Sequence, residues 1–172
     1  MRRTILWLAA CVLAVTGCGG GTDTIGADDL TKQQDAADDV ARTVVSAIVK
    51  DLGGAPPSVD TLGRGLYAGC DGGDADQASY FIDTYVTYDV RPTAEATKAV
   101  SQAVRGAGLM EKGLEMTGGI MFAEGDVTVD VSSQEKGGGS AGQNIFVSTG
   151  CLAIGKDAIA AFNAKNGRPV AP

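Results

Sequence analysis

There is no histidine anywhere in these 172 residues. That absence removes the commonest general base and the commonest metal ligand together, and so argues against Ser-His-Asp and Cys-His catalysis and against most zinc sites. Positive charge is also scarce, with 14 Lys and Arg against 21 Asp and Glu and a formal net charge of −7. A surface that acidic repels phosphate backbones and anionic headgroups, which disfavours nucleic acid as a partner and makes a basic protein the better match. Downstream of Val15 no stretch approaches the roughly 18 consecutive apolar residues of a membrane helix. Cysteine is sparse as well, with Cys70 and Cys151 the only two after position 18.

What is present begins at the N-terminus. Arg2 and Arg3 precede an apolar run from Ile5 to Val15, followed by Val15-Thr16-Gly17-Cys18 and three glycines. The run is too short for the roughly twenty residues of a bilayer span, and basic, apolar and small-residue regions follow one another as in a secretory signal peptide. A cut just before Cys18 would leave a nucleophilic sulfur at the new N-terminus, where a diacylglyceryl group can be attached. One acyl chain holds a protein marginally, whereas two hold it stably. On this lipobox, the Ala/Gly-rich composition and the single downstream cysteine pair, the chain resembles the small cell-envelope lipoproteins common in actinobacteria. The resemblance implies removal of residues 1–17, acylation of Cys18 (palmitate among the acyl groups), and a lipid-anchored place at the outer face of the plasma membrane. It implies no activity.

Loss of Arg2 and Arg3 with the signal segment leaves 12 basic against 21 acidic residues. Cys70 and Cys151, 81 positions apart, then stand in an oxidising compartment and read as one disulfide. No Cys-x-x-Cys spacing supports a redox pair. Residues 18–27 form a lipidated, Gly-rich tether, residues 28–166 one domain, and residues 167–172 a frayed tail.

Within the domain, Asp28 to Leu52 has helical period: Leu30, Ala37, Val40, Ala41, Val44, Ile48 and Leu52 share a face opposite Lys32, Asp35, Asp39, Arg42 and Lys50. Asp38 and Arg42 form an i,i+4 pair, and Gly53-Gly54 with Pro56-Pro57 stops the helix. Ser79 to Val90 alternates as a half-buried strand, with Tyr80, Ile82, Val86 and Tyr88 inward. A second helix opens at Pro92-Thr93, with Ala96, Ala99, Val100, Ala103 and Ala107 on one face. Strand-like runs follow at 117–123, 127–132 and 144–150, and Lys156 to Lys165 suits a short helix. The expected architecture is a two-layer α+β domain: an antiparallel sheet of about four strands with two helices on one face.

Several patterns invite a chemical reading. Ser133-x-x-Lys136 matches the motif of penicillin-interacting enzymes but lies at a strand end, without the Lys-Thr-Gly and Ser-x-Asn partners. In Lys136 to Gly142 the lysine precedes the glycines, the reverse of a phosphate loop, and a hairpin loop is the better reading. Asp71, Asp74 and Asp76 form a solvated turn or a weak Ca²⁺ site, without EF-hand spacing. Asp126 and Asp130, about 13 Å apart along a strand, are too distant for a glycosidase pair. Phe81, Asp83 and Tyr85 project from the face opposite Tyr80 and form the candidate interaction surface, with Tyr85 as an exposed anchor.

These observations fit a non-enzymatic envelope domain, without cofactor, that binds another envelope protein. Two alternatives stand beside it. A carrier or sensor would hold a small apolar molecule between helices and sheet, and an enzyme would rely on carboxylates alone.

Overall fold

The computed structural model describes residues 25–53, 55, 61–70, 76–88, 93–114, 119–136 and 140–172. The signal segment, Cys18, most of the tether, Asp71, Asp74 and the glycines at 137–139 lie outside them.

The first helix, α1 (Ala27–Leu52), follows the sequence pattern closely, burying Ala37, Val40, Ala41, Val44, Ile48 and Leu52 and ending on Gly53 in the left-handed region at φ 69°. The second, α2 (Thr93–Gly106), buries Ala96, Val100, Ala103 and Val104. A third, α3 (Lys156–Ala164), occupies the expected C-terminal position. The sheet has eight antiparallel strands: β1 (Gly63–Gly69), β2 (Gln77–Tyr88), β3 (Met110–Leu114), β4 (Ile120–Glu124), β5 (Val127–Lys136), β6 (Ser140–Thr149), β7 (Leu152–Ala153) and β8 (Arg168–Val170). Spatial order is β3-β4-β5-β6-β2-β1-β8, with β7 also paired to β2.

The expectation of four strands and two helices is therefore wrong, since the described residues alone form eight strands and three helices. The four expected runs, which become β2, β4, β5 and β6, are the ones that alternate. The four missed strands are short or poor in side chains suited to a sheet: β1 carries three glycines, β3 reads Met-Glu-Lys-Gly-Leu, β7 has two residues, and β8 contains Pro169. They are held by register with stronger neighbours, as in Leu66 opposite Phe81 and Arg168 opposite Gly65. Residues 168–170, expected to fray, thus close one edge of the sheet.

Two junctions show local causes. Glu124 pairs with Val127, so Gly125 and Asp126 form a two-residue hairpin, and Gly125 takes the φ of +58° such a turn requires. Gly150 and Cys151 interrupt the path from β6 to β7, both of which pair with β2. At that break the expected disulfide is present: Cys70 and Cys151 are bonded, with Cα atoms 6.1 Å apart.

The core lies between the helices and one face of the sheet. Val44 and Ile48 of α1, Tyr80, Ile82 and Val86 of β2, Phe122 of β4, Val129 of β5, and Ile145 and Val147 of β6 are all fully buried. Each such side chain contributes roughly 1.5–3 kcal/mol relative to exposure. The opposite face carries no helix among the described residues, and this asymmetry positions both regions that follow.

Candidate functional site

Antiparallel register decides what stands together on the uncovered face. Asp83 of β2, Phe146 of β6 and Asp130 of β5 form one cross-strand row, because Asp83 and Asp130 each lie opposite Phe146. The neighbouring row holds Leu66, Phe81, Ser148 and Thr128. Phe81 and Phe146, diagonal across β2 and β6, stack with ring centroids 5.4 Å apart and planes inclined by 23°. Phe146 is 38% exposed, one of two large apolar side chains left open to solvent among the described residues. The two rings help line a shallow groove of about 340 Å³, together with Ala68, Ser79, Ser148 and the Cys70–Cys151 bridge.

Phe81, Asp83 and Tyr85 do share this face, as the alternation implied, and Asp83 is exposed. Tyr85 corrects the expectation of an exposed anchor. It is half-buried, lying across the backbone of Gly142 so closely that a Cβ there would sit 2.1 Å from the phenol oxygen. Asp130 leans the other way, with its Oδ1 2.4 Å from where a Cβ on Gly119 would stand. Phe146 was missed by sequence reasoning. Its run alternates plainly, but nothing local shows which strand lies beside it.

The motifs set aside earlier find structural places. Ser133 and Lys136 are both in strand β5, so no helix start supports the serine. Asp76 accepts the N–H of Lys156 on Oδ1 at 3.2 Å, and its carbonyl accepts the N–H groups of Ile154 and Gly155, which fastens the start of α3. Asp126 sits exposed in its turn. Tyr80 packs inward as expected, whereas the side chain of Tyr88 lies outside the described residues. Among the described residues no three His, Cys, Asp or Glu converge as a metal site.

The second region is buried between α1 and β1, β2, α3 and β8. Tyr80 donates to Asp38 Oδ1 at 3.0 Å, and Arg168 Nε lies 3.1 Å from Asp38 Oδ2. Arg168 also reaches Asp35 at 2.6 Å and Gln34 at 3.4 Å, and Gln34 in turn donates to the Tyr67 hydroxyl at 2.8 Å. Tyr67, Tyr80 and Phe162 meet edge to face or tilted. The expected Asp38–Arg42 pair is absent: Arg42 turns to Asp39, because Asp38 is buried at 2% exposure and engaged from the other side.

Electrostatics follow from this burial. Desolvation raises the Asp38 carboxyl above its ordinary value, although the Tyr80 hydrogen bond and Arg168 pull it back. Desolvation raises both phenols, and for Tyr80 the Asp38 charge adds to it, so both stay protonated, Tyr80 donating to Asp38 and Tyr67 accepting from Gln34. Burial opposes the charge on Arg168, but Asp35 and Asp38 outweigh it and raise its pKa. With every partner internal, the network latches β8 onto α1. It offers no open position beside a reactive group.

Comparisons with protein-family models, with curated proteins and with solved structures find no match to this chain.

Proposed function

We propose that the chain is a lipid-anchored envelope protein, held by a diacylglyceryl group on Cys18 at the outer face of the plasma membrane, whose folded domain docks another envelope protein through the uncovered face of its sheet. The observation that carries the docking reading is the Phe81–Phe146 stack on that face, with Phe146 exposed and Phe81 half-buried, in a domain whose other face is filled by three helices. A solvent-facing aromatic ring stacked on a half-buried one, at a shallow groove, suits a protein surface better than a reaction. The anchor reading draws its support from the Val15-Thr16-Gly17-Cys18 pattern.

Chain geometry ties the two parts. The N–H of Ile25 donates to the Ala153 carbonyl at 2.8 Å, so the tether enters beside β7 and the disulfide end of the groove. The seven residue steps from Cys18 to Ile25 span at most about 25 Å. A partner on this face is therefore one that lives close to the bilayer.

Two measurements test the reading. Cys18→Ala should move the protein from the membrane to the soluble fraction, and retention on membranes would refute the anchor. Detergent-solubilised membranes should hold the protein in a complex larger than itself, and Phe146→Asp should return it to its own mass. A wild-type protein that migrates alone would refute docking.

A further inference from the structure

We propose that the occupant of the uncovered face is a basic, extended segment of the partner protein, with an arginine or lysine side chain laid on the Phe146 ring beside Asp83. The inference rests on the docking reading above and names the chemistry of its partner. Three observations carry it.

First, the cross-strand row places Asp83 of β2, which is exposed, directly opposite Phe146, while Asp130 on the β5 side turns its carboxylate toward Gly119. Directly opposed side chains in an antiparallel pair have Cβ atoms about 5 Å apart, so a cation over the ring is within reach of Asp83 without rearrangement. The negative face of an aromatic ring attracts such a cation in its own right. Second, Arg64 on the same face is turned to the Asn166 carbonyl at 3.0 Å, at the β8 edge of the sheet. Third, the chain after signal removal carries 12 basic against 21 acidic residues, so its long-range field draws in basic segments.

The same features count against the other occupants. A lipid surface rich in anionic headgroups would be repelled. A second copy related by a two-fold axis would bring the acidic rows of both chains into one interface, and burying like charges there is costly. An uncharged peptide would cover Asp83 and leave its carboxylate without a counter-charge.

The test uses the full chain in a neutral detergent, titrated with hexa-arginine and, as a control, hexaglutamate. Hexa-arginine should bind, weaken steeply with added salt, and lose roughly three- to fivefold in affinity on Phe146→Ala and again on Asp83→Asn. Asp157→Asn, an exposed acid on α3, should leave affinity unchanged. Equal losses at Asp157 and Asp83 would mean diffuse attraction and would overturn the assigned position, as would hexaglutamate binding as well as hexa-arginine. A native complex that is lost with Phe146→Asp, in a protein indifferent to hexa-arginine, would overturn the basic-segment inference and leave docking intact. Failure of docking itself would appear as the absence of any such complex, and a complex of twice the chain's own mass would identify a second copy and refute the basic segment.

Discussion

Asp38 shows how far a single residue's role depends on chain distant from it. In the sequence it is one more acid on a helix, spaced for a pair with Arg42. In the fold it is buried and shared by Tyr80 and Arg168, the second of which belongs to the last five residues. Helical periodicity finds which side chains face the core, but not which remote charge meets them. Asp38→Ala should cost about 3 kcal/mol in urea denaturation, since it leaves a buried phenol and a half-buried guanidinium without their shared acceptor. Because burial raises the Asp38 carboxyl, the folded state binds its proton more tightly than the unfolded chain. Stability should therefore fall as pH rises from about the ordinary value of 3.8 through the raised one, and Asp38→Asn should remove that component of the slope. Gly65 is a second position set by a distant neighbour: a Cβ there would lie 1.7 Å from the Tyr80 hydroxyl oxygen. Gly65→Ala should cost roughly 1–3 kcal/mol by overpacking, read in the same denaturation series.

At the scale of elements, the sequence made the strong ones legible and hid the dependent ones. The helices α1 and α2 and strands β2, β4, β5 and β6 announce themselves by period, so the buried faces of the helices and the inward face of β2 could be read directly, while the expected two-helix, four-strand architecture was wrong. The uncovered face followed from the same alternation, which placed Phe81, Asp83 and Tyr85 together. Strands β1, β3, β7 and β8 carry too little intrinsic preference to show, and exist because a partner supplies the pairing. The edge of β1 illustrates the cost of ending a sheet. Strand β8 pairs with Gly63 to Gly65, and beyond it the Asn163 side chain on α3 stands in for a strand, accepting from the Tyr67 N–H at 3.0 Å and donating to its carbonyl at 2.8 Å. Asn163→Ala should cost about 1–2 kcal/mol, and faster hydrogen exchange at the Tyr67 amide should localise the loss. Unchanged exchange there would refute the edge-capping role. Phe146 belongs to this scale too, since its neighbours are set by the β2–β6 and β5–β6 registers.

For the whole molecule, the Cys70–Cys151 bridge and the tether entry converge on one end of the sheet. The bridge closes a separation of 81 residues, and a loop of that length is worth roughly 4–5 kcal/mol in the chain-entropy account. Reduction should lower the melting temperature markedly, and an unchanged melting curve would show the bridge to be energetically idle. The cysteine count alone made that bridge legible, because only two thiols follow Cys18. The central claim, however, is that one face of the sheet is built for packing and the other for a partner. It is tested most directly in living cells by a photo-crosslinking amino acid placed at position 146 on the uncovered face and, separately, at exposed Ala158 on α3. The account predicts a discrete adduct with one membrane-associated protein from position 146 and none from position 158. Equal labelling from both positions, or no adduct from position 146, would contradict it.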